Sequence, residues 1–156
     1  MLENLKVPDF EAAATGGRTF AVAAQRGRPF VLYFYPKDNT PGCTDEGAQF
    51  RDLHADFLAA GCDVYGVSRD SIKSHEGFKA KMSFPFELLS DPDEKLCEMF
   101  GVMKMKNMYG KQVRGIERST FLIDGAGKLQ QAWRKVKVDG HVAEVLAAAQ
   151  ALGKRE

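Results

Sequence analysis

Six consecutive apolar residues, Phe30-Val31-Leu32-Tyr33-Phe34-Tyr35, constrain this chain more than any other stretch. The run is rich in aromatic and β-branched side chains and shows no polar alternation, so it reads as a strand buried on both faces. Pro36 ends it, and residues 37–42 form a loop. From Cys43 the period changes to that of a helix. Cys43, Gly47, Phe50, Leu53, Phe57 and Leu58 fall on one stripe, and Gly61 is a fitting stop.

The rest of the chain supplies partners for that strand. Residues 63–68 form a second strand, and residues 71–82 a polar helix with Ser71 as N-cap. A short helix covers 93–100, with Asp91-Pro92 at its start. Residues 119–123 and 129–133 are strands joined by a turn at Asp124-Gly125-Ala126-Gly127, and 140–152 is an amphipathic helix. Residues 103–115, rich in Met, Lys and Gly, read as one elaborated loop. The order β-α-β-α, then β-β-α, requires parallel pairing with a crossover helix followed by an antiparallel hairpin. An α/β architecture follows, a central mixed β-sheet flanked by helices. A thioredoxin-like fold fits this order, although order alone does not single it out.

Composition narrows the function classes. With 156 residues the chain is expected to be a single domain, 1–156, able to bury roughly two-thirds of its unfolded surface without a disulfide or metal. Lys plus Arg number 22 and Asp plus Glu 21, a net charge of +1 that argues against a polyanion-binding protein. Lys104, Lys106, Lys111, Arg114, Arg134, Lys135 and Lys137 make the second half locally basic. They read as edge-strand and loop charges that oppose aggregation rather than as a nucleic-acid site. Met103, Met105 and Met108 read as packing residues more than as the lining of a substrate pocket. No apolar run reaches the ~18 residues of a membrane span. The segment from Met1 to Lys6 does not resemble a secretory leader, so a cytoplasmic, reducing compartment is expected. Cys43, Cys62 and Cys97 are too few and too scattered for a disulfide scaffold, and His54, His75 and His141 are too dispersed for a zinc pattern.

Cys43 carries the chemistry. It lies in or just before the first turn of a helix that follows a buried strand, where orphan N–H groups and the helix dipole favour an anion. A thiol so placed is expected to ionise below its free pKa of ~8.5. Thr40, three residues earlier, can offer a hydroxyl to the sulfur or to an incoming oxygen. From the residues alone, Cys43 is either such a nucleophile or a small buried thiol.

The run Tyr-Pro-Lys-Asp-Asn-Thr-Pro-Gly-Cys-Thr, residues 35–44, resembles the peroxidatic motif of the peroxiredoxins. Its Thr-Pro-Gly-Cys-Thr form resembles the bacterioferritin comigratory protein, or Q-type, subgroup. Val7-Pro8-Asp9-Phe10, Asn107-Met108-Tyr109-Gly110, the stretch 117–124 and the stretch 133–138 resemble further blocks of that subgroup. The resemblance implies a thioredoxin-like peroxidase for hydrogen peroxide and organic hydroperoxides that uses no metal or organic cofactor. Cys43 would be the peroxidatic nucleophile and Thr40 a hydrogen-bond partner of thiolate and peroxide. Pro36 would shield the pocket, and Arg118 would be the active-site arginine. A guanidinium, always charged and forked, suits that task. Glu46, one helical turn after Cys43, either orients that arginine or belongs to a solvated face.

Two positions depart from the subgroup. Members carry a resolving cysteine five residues after the peroxidatic one, where Ala48 stands, or on the next helix, where Lys79 stands. A one-cysteine mechanism is therefore expected, with thioredoxin, glutaredoxin or glutathione as reductant and the protein a monomer. The alternative is atypical resolution by Cys62 or Cys97, each of which otherwise reads as a packed thiol. Two rivals remain. A thiol–disulfide oxidoreductase fits the fold but lacks a Cys-x-x-Cys pair, and a redox sensor or chaperone would turn over little.

Overall fold

The computed structural model describes residues 3–155; Met1 and Leu2, part of the stretch read for a leader, lie outside them. The apolar run forms β3 (Phe30–Phe34), and all five of its residues are buried. β4 (Asp63–Ser68) pairs with it in parallel, Phe30 opposite Asp63 and Phe34 opposite Val67. β8 (Ser119–Ile123) pairs antiparallel on the other edge, Phe34 opposite Ser119. Outward from β4 come β5 (Leu88–Ser90), then β1 (Glu11–Ala14) and β2 (Arg18–Ala21); β9 (Leu129–Trp133) lies beyond β8. The result is one mixed seven-stranded sheet, β2-β1-β5-β4-β3-β8-β9.

The two-residue period of β3 divides the core. Phe30, Leu32 and Phe34 point to one face, where they meet Val7, Phe20, Leu96, Cys97 and Phe100. Val31, Tyr33 and Tyr35 point to the other, toward α1 (Pro41–Asp52), α2 (His54–Ala59), α3 (Ile72–Met82) and α5 (His141–Arg155). Among the described residues, the short α4 (Lys95–Met99) is the one α-helix on the first face, beside a 3-10 turn at Val22–Gln25 whose Val22 is buried there. Its first turn is held by Asp91, whose carboxylate accepts from the Leu96 and Cys97 N–H groups at 3.1 and 2.9 Å.

The helix expected from Cys43 to Gly61 is two helices. Leu53, at φ −100° and ψ 4°, interrupts it. The break resets the phase, so Phe57 still reaches Phe50, at 5.7 Å between ring centroids, while Leu58 turns outward and is 45% exposed. Residues 103–115 are not a loop. β6 (Met103–Met108) and β7 (Lys111–Ile116) form a two-stranded ribbon outside the main sheet. It turns at Tyr109-Gly110, both at positive φ as a tight hairpin requires. Its Met-Lys alternation is weak in strand-forming residues, and Met105 and Met108 are exposed rather than packed. The β1–β2 hairpin and the three-residue β5 also lacked a sequence signal, the first because it is built on alanine and the second because it is so short.

Helix α1 meets α3 and the segment after it at Gly47, where a Cβ would lie 2.5 Å from Phe84 Cζ. Phe84 is stacked on Phe86 and edge-on to Phe78, each at 5.0 Å, so its ring has little freedom to retreat. Alanine would add about 1 kcal/mol of helix propensity, against an overpacking cost of about 1–3 kcal/mol. We expect Gly47→Ala to lower stability by up to about 2 kcal/mol in urea unfolding; a stabilising effect would mean that the ring moves freely.

Candidate active site

Thr40 is the N-cap of α1, Pro41 the first helical residue and Cys43 the third. Cys43 therefore sits in the first turn, 1% exposed, where backbone N–H groups lack carbonyl partners within the helix. Pro41 costs the helix nothing there, because its missing N–H is one of those orphans. The Thr40 carbonyl accepts from Thr44 N–H at 2.8 Å. Its hydroxyl does not cap the helix; it donates to the Lys37 carbonyl at 2.7 Å and braces the loop.

Arg118 immediately precedes β8. Because Ser119 lies opposite Phe34, the antiparallel register delivers Arg118 to the end of β3 from which the Cys43 loop departs. Its Nη2 is 3.5 Å from Cys43 Sγ, and its Nη1 donates to Glu46 Oε1 at 2.7 Å. Glu46 shares the face of Cys43 one turn on and is fully buried, so the solvated-face reading of this residue does not hold. Its second oxygen, Oε2, has no hydrogen-bond partner among the described residues. Burial pushes its carboxyl up to about 7, although the Arg118 charge pulls the other way. One guanidinium thus faces two groups that can each become an anion.

Two further residues shape the site. A Cβ on Gly42 would lie 3.0 Å from Arg118 Nη2, so the glycine lets the guanidinium approach the helix start. Tyr33 is buried beneath, stacked on Phe50 at 4.3 Å, and burial and then Glu46 push its phenol well above the usual range. Glycine beside a helix-start cysteine was a visible signal for the first. Nothing in the sequence distinguished Tyr33 from its apolar neighbours.

Pro36 and Arg118 line the same open cavity of about 440 Å3, with Met105, Val136, Lys104 and Glu117. A cavity of about 490 Å3 between α2 and α5 is slightly larger but is lined by neither Cys43 nor Arg118. Of the residues named from sequence, Cys43 and Arg118 touch. Pro36 shares Arg118's cavity, and Thr40 starts the helix that holds Cys43.

The other thiols are elsewhere. Cys97 lies on the opposite face of the sheet, and burial followed by the Asp91 hydrogen bond raises its pKa far above the ordinary thiol range. Cys62 precedes β4, level with the start of β3, whereas Cys43 follows the end of β3. A five-residue strand separates those levels by about 16 Å. Lys79 on α3 is ion-paired with Glu87 at 2.7 Å. Asp38, Asp70 and His75 come close enough to share a metal ion. Their donor atoms, however, are engaged with one another and with Tyr35, Ser68, Ser74 and the Leu89 carbonyl.

A buried thiol in the first helical turn after the central strand, faced by an arginine just before the adjacent strand, defines a thiol enzyme on a thioredoxin-like fold. The family model described as AhpC/TSA family matches residues 4–132. Peroxiredoxin Bcp of Xanthomonas campestris pv. campestris is 55% identical over 147 residues, covering 94% of this chain and 92% of that protein. Peroxiredoxin Bcp of Bacillus subtilis is 51% identical over 141 residues, 90% of each chain. Among solved structures, the bacterioferritin comigratory protein of Xanthomonas campestris, studied for its alkyl peroxide reduction activity, superposes with a TM-score of 0.91 at 52% identity, over 97% of this chain and 99% of that one. A cysteine-to-serine variant of Xylella fastidiosa PrxQ gives 0.92 at 44% identity, over 97% and 96%. The chain belongs to the AhpC/TSA family and, within it, to the bacterioferritin comigratory protein, or Q-type, peroxiredoxins, which are thiol-dependent peroxidases.

Glu46 gives the protein a specific pH dependence. Unfolded, its carboxyl ionises at the ordinary value of 4.5; folded, it holds its proton to about 7. Between those values the folded state binds the extra proton, so this group's contribution to stability falls as pH rises from 4.5 to about 7 and is level above. Glu46→Gln should flatten that decline in urea titrations at pH 5, 6 and 7. An unchanged slope would remove Glu46 as its source.

Proposed function

We propose that Cys43 is the peroxidatic nucleophile of a one-cysteine peroxidase that reduces hydrogen peroxide and organic hydroperoxides. The observation that carries this reading is the 3.5 Å contact between Arg118 Nη2 and Cys43 Sγ in the first turn of α1. A guanidinium so close favours the thiolate and meets the charge that develops on the departing oxygen. The thiolate attacks the terminal peroxide oxygen in line. The O–O bond breaks, Cys43 becomes a sulfenic acid, and the other oxygen leaves as water or an alcohol after taking up a proton.

The remaining residues have distinct tasks. Thr40, whose hydroxyl proton is committed to the Lys37 carbonyl, offers its oxygen to the O–H of the incoming hydroperoxide. Pro36 closes one wall of the approach and limits water. Gly42 keeps space for Arg118. The alkyl peroxide reduction studied in the Xanthomonas neighbour supports organic hydroperoxides as substrates.

Resolution comes from outside the chain. A first external thiol condenses with the sulfenic acid and releases water; a second frees Cys43 as thiol and leaves as the partner disulfide. Thioredoxin, glutaredoxin and glutathione are the candidate donors, acting on a single-domain cytoplasmic monomer. Three features support the external route. The sheet separates Cys97 from Cys43, a strand's length separates Cys62, and Lys79 is engaged with Glu87. The Xanthomonas protein, by contrast, was solved with each of two different cysteines replaced by serine.

Cys43→Ser should abolish peroxide consumption with any thiol donor; retained consumption overturns the peroxidase assignment. Arg118→Met should lower the second-order rate with peroxide by about 10²–10³. The double variant Cys62→Ala/Cys97→Ala should turn over within about twofold of the parent. Peptide mapping after one equivalent of peroxide should find a trappable sulfenic acid at Cys43. A stoichiometric Cys43–Cys62 or Cys43–Cys97 disulfide would defeat the external-thiol mechanism.

A further inference from the structure

The loop that leads from Pro36 to Cys43 is fastened by a buried polar cluster with no part in the chemistry described so far. Asp38, in that loop, is 4% exposed. Its Oδ1 accepts from the Tyr35 hydroxyl at 2.6 Å, and its Oδ2 accepts from the Ser74 hydroxyl at 2.8 Å. The same Oδ2 lies 2.7 Å from Nδ1 of His75, which is wholly buried on α3. The other ring nitrogen, Nε2, is 2.9 Å from the Leu89 carbonyl of β5. Asp38 N–H donates to Asp70 Oδ2 at 3.0 Å, and the next residue, Asn39, holds a left-handed φ of 63°.

The ring is held at both ends: a carbonyl oxygen and a carboxylate are acceptors, and each ring nitrogen lies within hydrogen-bond distance of one of them. Burial alone would raise the Asp38 carboxyl, but His75, Tyr35 and Ser74 outweigh it and hold it below the usual range. The result is a buried hydrogen-bonded pair tying the loop to α3, with the ring's far nitrogen tied to β5.

We propose that His75 is a positioning residue for Cys43: paired with Asp38, it clamps residues 36–42 and thereby holds the first turn of α1, with its thiol beside Arg118. This rests on Cys43 as the nucleophile. The clamp acts oppositely on the two half-reactions. Attack on peroxide needs Cys43 held against Arg118. An external thiol must instead reach a sulfur that is 1% exposed, so the loop has to open for the second step. Weakening the clamp slows oxidation and speeds resolution.

The test uses the full chain with His75→Phe, which keeps a ring but has no donors. Stopped-flow oxidation of Cys43 by hydrogen peroxide should slow about tenfold or more. Reduction of preformed sulfenic acid by thionitrobenzoate should be at least threefold faster, with faster amide exchange confined to residues 36–46 and the start of α3. Asp38→Asn, which keeps a neutral hydrogen bond to the ring, should stay within about threefold of the parent, while Asp38→Ala should follow His75→Phe. Should His75→Phe not fold, the two Asp38 variants decide by the same readouts. Both half-reactions within twofold of the parent, or both slowed in parallel, would overturn the clamp. Cys43→Ser run alongside separates the two readings: loss of consumption there with a null effect at position 75 removes only the clamp, whereas retained consumption removes the nucleophile.

Discussion

One guanidinium shared between a buried carboxyl and a thiol organises this molecule. Arg118 is always charged, and leaving such a charge unmatched inside a protein is costly. Glu46 at 2.7 Å and Cys43 at 3.5 Å are the groups that match it. The rest of the local structure follows from bringing these three together. The β3–β8 register sets the arginine at the end of the central strand, and the helical turn puts Glu46 on the Cys43 face. Gly42 leaves room for the approach. The second Glu46 oxygen, without a partner among the described residues, marks the cost of this arrangement, a burial that lifts the carboxyl to about 7.

The same sheet that builds the site also sorts the thiols. A strand buried on both faces must send alternate side chains to opposite cores, and Cys43 and Cys97 join different ones. Parallel pairing of β3 with β4 sets Cys62 at the far end of the sheet. Topology rather than residue type thus sets the three thiols apart. The loop that leads to Cys43 is tied to α3 by the hydrogen-bonded pair of Asp38 and His75, on the face that carries α1 and α3.

Much of the site was legible in the sequence, and the limits have physical causes. Pro36, Thr40 and Cys43 lie within eight residues of one another and declare themselves by strand, loop and helix start. Arg118 is 75 residues from Cys43 and was found only through a resemblance of separate blocks. Glu46 was placed on the right face, but its burial depends on what packs there. Asp38 and His75, 37 residues apart, gave no joint signal, because each alone is an ordinary polar residue in a loop or on a polar helix. The ribbon at 103–116 was read as a loop because an exposed hairpin imposes no hydrophobic period on its sequence.

The sequence by itself determined the central strand, the helix start that follows it and the single cysteine placed there, because these depend on neighbours a few residues apart. It also determined that no cysteine stands at position 48 or 79. Tertiary structure alone decided which charges meet that thiol and where the other two thiols lie relative to it. It decided too that a buried histidine holds the loop in front of it. Those outcomes depend on strand register and on which face of the sheet a side chain enters, quantities that a linear pattern does not carry.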